Sequence, residues 1–165
     1  MDEGETPRPF ATVVDLAPGD LETVRAVFDG LSASSRYRRF QSSRAALPGP
    51  MLRHLATVRP PDQLAHVAML DGVPVGLIHW FRLPGTRIAE VACEVVDAAQ
   101  HRGIGRSLFR RAAQSAAEHG IDTFVASLFV GDGRLLRRAR EFGGQPDRSE
   151  PGRYSMPVDL AAAVP

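Results

Sequence analysis

Glu90 and Glu94 stand four residues apart in an otherwise apolar run, IAEVACEVV at 88–96. On a strand, residues two and four apart share a face, so both carboxylates point the same way. A carboxylate in a buried strand is costly unless it is hydrogen-bonded or functional. That makes Glu90 the first candidate for a general base and Glu94 the second. The alternative for Glu90 is a strand-end carboxylate facing solvent.

The run leads into Gln100-His101-Arg102-Gly103-Ile104-Gly105-Arg106, and then into Leu108, Phe109, Ala112 and Ala116 at helical spacing. A helix start leaves about four N–H groups without intrahelical partners and carries roughly half a positive charge. Glycines at 103 and 105 remove the Cβ atoms that would keep a phosphate away, and Gln100, His101, Arg102 and Arg106 add side-chain donors. Such a turn can cradle a pyrophosphate. A turn that only needs glycine dihedrals is the alternative. A dinucleotide fingerprint would require glycine at 108, where Leu108 stands, and a P-loop requires a lysine, which the chain lacks entirely.

Other reactive groups offer less. Cys93 has no evident partner base and reads as a small core or strand residue. The five histidines show no metal-ligand spacing, and no G-x-S-x-G is present. Arg134, Arg137, Arg138 and Arg140 read as a solvated helix face, or as contacts to a phosphate.

These residues need elements to hold them. ATVVDL (11–16) predicts a first strand, and Asp20 caps a helix bearing Leu21, Val24, Val27, Phe28 and Leu31. SSRYRRF (34–40) predicts a second helix broken by LPGP (47–50), and 51–58 a further helical turn or two. Asp71-Gly72 joins two strands, 64–70 and 74–83, in a hairpin. The apolar run 88–96 predicts a central strand. A helix ending at Gly120, a strand at 123–130, a helix ended by Gly143-Gly144 and a last strand at 153–160 follow. The order predicts an α/β fold with a mixed, mostly antiparallel sheet and helices on both faces.

At 165 residues the chain is expected to form one domain over 11–160, after a frayed segment at 1–10. A net charge of +1 leaves no nucleic-acid footprint. No apolar run reaches membrane-spanning length, and the acidic start is no signal peptide. One cysteine rules out an internal disulfide and points to the cytoplasm. All 20 Lys+Arg positions are arginine, which with much alanine suggests a GC-rich bacterial genome.

Q-H-R-G-I-G (100–105) resembles the Q/R-x-x-G-x-G/A acetyl-CoA motif of the GCN5-related N-acetyltransferases, the GNAT superfamily. L-S-x-x-S-R-Y-x-R-F (31–40) and A-E-V-A (89–92) are similar to the bacterial Pat-type protein lysine acetyltransferases, of which the chain corresponds to the catalytic module. The resemblance implies a sheet splayed between 88–96 and 123–130, with acetyl-CoA as cosubstrate in the gap and no metal. It implies pantetheine pairing near Glu94 and Val95, an N–H near Val95 on the thioester carbonyl, and pyrophosphate held by Gln100, His101, Arg102, Gly103, Ile104, Gly105 and Arg106. Glu90 then matches the family's general base, and the 31–40 segment shapes the acceptor site or simply packs on the sheet. The implied partner is an amine acceptor, first a protein lysine and second a small-molecule amine; the enzyme is expected as a monomer or homodimer. A non-catalytic acyl-CoA sensor is the remaining alternative. The family's N-x-x-A-x-x-L-Y helix is altered: aligned on Gly143, Asp132 takes the asparagine position and is expected at the coenzyme, while Ala139 replaces the tyrosine that protonates the thiolate.

Overall fold

The structure is a computed structural model that describes residues 11–129 and 131–159. The expected frayed segment 1–10, together with Val130 and Leu160 of two expected strands, lies outside the described residues. In chain order the elements are β1 (Thr12–Asp15), α1 (Leu21–Asp29), α2 (Ala33–Phe40), α3 (Gly49–Leu55), β2 (Gln63–Leu70), β3 (Val73–Arg82) and β4 (Ile88–Val95). Then come α4 (Ile104–Glu118), β5 (Thr123–Ser127), α5 (Gly133–Glu141), β6 (Gln145–Pro146) and β7 (Arg153–Pro157). They build one seven-stranded sheet in the order β1-β2-β3-β4-β5-β7-β6, antiparallel everywhere except β4–β5. This is the mixed α/β sheet the sequence predicts, with β4 in the middle.

Local chemistry explains the elements. Asp20 caps α1 by accepting from the Thr23 N–H at 3.0 Å. Asp71 and Gly72 both take positive φ, as a tight two-residue hairpin turn requires. α3 begins at Gly49, inside the LPGP expected as a break, because proline is tolerated in a helix's first turn. Strand β5 stops at Ser127 and β7 at Pro157, each short of the expected end, since their mutual pairing runs only from Thr123↔Pro157 to Ser127↔Arg153. The two-residue β6 is too short for a periodic signal.

The core is the sheet's contact with its helices. Leu108, Ala112, Ala113 and Ala116 of α4 are fully buried against Ile78 and Trp80 of β3. The approach is close: a Cβ on Gly76 would sit 2.9 Å from Leu108 Cδ1, so β3 needs glycine where α4 crosses. Ser115 of α4 receives the Trp80 indole N–H at 2.9 Å and pairs with His66 at 2.8 Å. Val24 and Val27 of α1 cover part of the opposite face.

Candidate active site

Strand β4 separates two chemical environments, and its alternation decides which residue enters which. The Leu83 N–H donates to Ile88 O and the Val96 N–H to Val75 O, so even-numbered residues of β4 turn their backbone groups toward β3. The Asp122 N–H donates to Arg87 O, so odd-numbered ones turn toward β5. Pairing with β5 covers only Ile88↔Thr123, Ala89↔Phe124 and Glu90↔Val125. Beyond Glu90 the strands part. Cys93 and Val95 are left facing a gap, with Val95 O taken by Gln100 Nε2 at 3.0 Å. The expected splay is therefore present.

The gap ends at the glycine turn. His101 and Gly103 have φ of 64° and 77°, and Gly103 is the N-cap of α4 with no side-chain cap. A Cβ on Gly103 would meet nothing within 4 Å, so the space above the uncapped helix start is open. His101, Arg102 and Gly103 are exposed, while Ile104 is buried as the helix's anchor. Arg106 is half-buried, with an ion pair of 3.6 Å to Glu141. The Arg134 guanidinium lies 3.3 Å from His101 Nε2 across the turn. Gln100 differs from the rest: its amide braces Val95 O and reaches Ser35 Oγ at 3.5 Å, so it ties β4 to α2.

On the sheet face that meets α2 stand the side chains of Glu90 and Glu94. They share a face, as expected, opposite Phe81 and Leu77 in register. Glu90 is half-buried. Glu94 is buried and accepts from Arg39 Nε at 2.7 Å. Burial raises its carboxyl's pKa, and the guanidinium opposes that shift. Arg39 Nη2 also meets His79 Nε2 at 3.0 Å. Burial holds the His79 imidazole well below its ordinary pKa, helped by the charges of Arg39 and His54. Sequence reasoning missed His79 because nothing in a strand histidine's neighbours announces its partner.

The 31–40 motif also acquires physical reasons. Ser32 caps α2 and donates to Asp97 at 2.7 Å, while Ser35 is buried beneath the Gln100 and Arg38 donors. Arg36 donates to the carbonyls of Phe28 and Asp29 and stacks 4.4 Å over the Phe28 ring. Asp132, expected at the coenzyme, caps α5 through the Arg134 and Leu135 N–H groups and lies 3.7 Å from Arg38. Between α2 and α5 lies an open cleft of about 820 Å³, edged by the exposed ring pair Tyr37 and Phe129 and by Arg134, Arg137 and Arg140.

Cys93 is exposed on the strand, not packed in the core. Ala139 is buried, and the two tyrosines lie on other elements, Tyr37 in α2 and Tyr154 in β7. No group of His, Cys, Asp or Glu among the described residues could hold a metal ion. Among those residues no helix is long and apolar enough to cross a membrane.

Comparison with known proteins agrees with this geometry. The sequence model of the acetyltransferase (GNAT) family matches residues 27–142. Among solved structures, the chain is similar to the GNAT domain of S. lividans PAT, with 24% identity, a TM-score of 0.82, and coverage of 89% of this chain and 90% of that one. It is also similar to a cAMP-binding acyltransferase from Mycobacterium smegmatis, with 24% identity and a TM-score of 0.63. That match covers 95% of this chain and 49% of the other, so this chain spans about half that protein's length. A third likeness is to the PaiA N-acetyltransferase from Thermoplasma acidophilum, solved in complex with coenzyme A, at 15% identity, TM-score 0.66, and 90% and 98% coverage. At these identities the likeness speaks to the fold.

Proposed function

The chain belongs to the GNAT acetyltransferase family, and from that premise we propose that it moves an acetyl group from acetyl-CoA to a primary amine, foremost a protein lysine, in the cytoplasm. The observation that carries this reading is the opened edge of β4 leading directly into the uncapped glycine turn of α4, with Glu90 on the adjoining sheet face that meets α2. The residues fit the cosubstrate. Cys93 and Val95 offer strand-edge backbone groups to an amide-bearing arm, and the bare helix start with an open Gly103 suits a pyrophosphate.

Acetyl-CoA supplies the activated acetyl group. A lysine amine of pKa about 10.4 is neutral in only about one molecule in 2,500 at pH 7. Glu90 takes the proton that frees the amine's lone pair. A backbone N–H of the opened edge, at Cys93 or Val95, stabilises charge on the carbonyl oxygen. With Ala139 where relatives carry tyrosine, no side chain at that position returns a proton to the sulfur. A thiol of ordinary pKa, about 8.5, leaves as thiolate without one.

Thiol release from acetyl-CoA over lysine peptides, polyamines and aminoglycosides tests the reading. Turnover with lysine peptides supports it, and turnover confined to small amines moves the acceptor class. Calorimetric CoA binding without turnover on any amine makes the protein an acyl-CoA sensor.

A further inference from the structure

His79 is 5% exposed, and its Nδ1 is a buried polar atom with no hydrogen-bond partner. Its tautomer is fixed by its neighbour. A guanidinium only donates, so Arg39 Nη2 at 3.0 Å obliges Nε2 to be the bare, accepting nitrogen. The buried imidazole is neutral, so its one proton sits on Nδ1. The orphan is therefore a donor, and a buried donor left unpaired costs about 1–3 kcal/mol. Buried polar groups without a protein partner characteristically hold water.

The position gives that water a use. In the β3–β4 register His79 faces Ala92, between Phe81↔Glu90 and Leu77↔Glu94. Its imidazole thus stands on the same sheet face as Glu90, one diagonal step away. The far side of the ring is occupied by the Arg39–Glu94 pair. His54 of α3 is the other titratable group packed here, its ring 6.3 Å from that of Phe81.

We propose that His79 is a positioning residue whose Nδ1–H anchors a buried water, and that this water carries the acceptor's proton to Glu90. The proposal rests on the reading of Glu90 as base. The amine gives a proton to the water as the water gives one to the Glu90 carboxylate. The freed lone pair forms the N–C bond, the adduct nitrogen gives up its second proton to solvent, and the C–S bond breaks to release the thiolate. The Arg39–Glu94 pair belongs to the device because it keeps Nε2 bare and so keeps the proton on the water's side.

Three variants separate this role from a structural one. Asn at 79 keeps a donor near the Nδ1 position, Gln keeps an acceptor near Nε2 for Arg39, and Phe keeps neither. The expected order of kcat is wild type, then His79→Asn, then His79→Gln and His79→Phe. The last two should fall about 10- to 100-fold, less than the 10²- to 10⁴-fold a general base contributes, with CoA affinity unchanged. Recovery by Gln and not by Asn would mean that His79 merely holds Arg39, and overturns the proposal. Independently of activity, ¹⁵N NMR of the wild-type imidazole should show the Nδ1–H tautomer. The Nε2–H tautomer, or a crystal structure with Nδ1 bonded to a protein atom, also overturns it. If Glu90→Gln keeps full kcat while the 79 series falls in the stated order, the base assignment fails and the water site stands.

Discussion

The two sides of β4 solve recognition by opposite means. Toward the gap, the strand offers backbone and the α4 turn offers glycine, and Gln100 braces the frame. Toward α2, the strand offers buried side chains whose charges are settled against one another: Glu94, Arg39 and His79. Backbone recognition tolerates almost any sequence on the strand, whereas a buried charged cluster tolerates few changes. On the proposed function, the contrast assigns the constant ligand to the gap side and the discriminating chemistry to the other.

The comparison breaks most sharply at Glu90. Glu90→Gln should lower kcat by about 10²- to 10⁴-fold and leave CoA affinity, which belongs to the gap side, unchanged. Steady-state rates should recover partly as pH rises and free amine forms unaided. A wild-type kcat at neutral pH would remove Glu90 from the chemistry.

Next comes the buried pair. Arg39→Met leaves Glu94 without its cation, and denaturant titration at pH 8 should show a loss of about 3–5 kcal/mol. The loss should shrink in acid, as the carboxyl takes up a proton and no longer needs a partner. A loss below 1 kcal/mol would mean that the face is not a charged cluster in the folded protein.

On the gap side, Gly103→Glu should weaken CoA binding at least tenfold, equivalent to about 1.4 kcal/mol, by occupying the open space and repelling phosphate. Gly103→Ala is the companion, since forcing an L-residue into the left-handed region costs about 1–2 kcal/mol of stability without adding charge. Equal CoA affinities in wild type and the folded Glu variant would remove the phosphate cradle.

Acid sharpens the contrast further. Burial lowers the pKa of both His79 and His66 below the ordinary 6.5. The unfolded chain then binds protons that the folded chain refuses. Each imidazole therefore stabilises the fold fully above pH 6.5 and withdraws about 1.4 kcal/mol per pH unit as pH falls below it toward its own lowered value. His79→Phe should have a stability-versus-pH slope between pH 6.5 and 5.5 shallower by about that amount, measured by urea melts. Parallel curves would show that His79 titrates normally. The smallest effect is Asp132→Ala, which removes the α5 cap and should cost about 1 kcal/mol; Asp132→Asn should keep most of it.

The same asymmetry decides what the sequence disclosed. The strand, glycine turn and helix at 88–118 were legible because their signals are contiguous: an apolar run, two glycines, then apolar residues at helical spacing. Glu90 stood out for a similar reason, as a charge in an apolar run. The Arg39–Glu94 bond joins residues 55 positions apart, and no local pattern links them. Glu94 could be placed on Glu90's face but not given a partner. The sequence points Asp132 toward the coenzyme but gives no sign that its carboxylate also caps its own helix. Gly76 gave no sign of its purpose, since Leu108, which fills the missing Cβ, lies on a helix formed later in the chain.

The sheet is sewn together across β4 and β5 by three residue pairs, and the strands beyond that seam are otherwise held through α4, whose Phe109 meets Phe124 and Phe142. Elsewhere the strands are joined along most of their length, as β3 and β4 are from Gly76↔Val95 to Arg82↔Ala89. A molecule lodged in the opening therefore behaves as mortar as well as cargo. It adds cross-strand contacts where the protein has none and binds only the assembled sheet. By mass action, a ligand at 100 times its Kd adds about 2.7 kcal/mol to the stability of the whole. The opening is a wedge between two strands, and a molecule that fills it extends the joint between the two halves of the sheet.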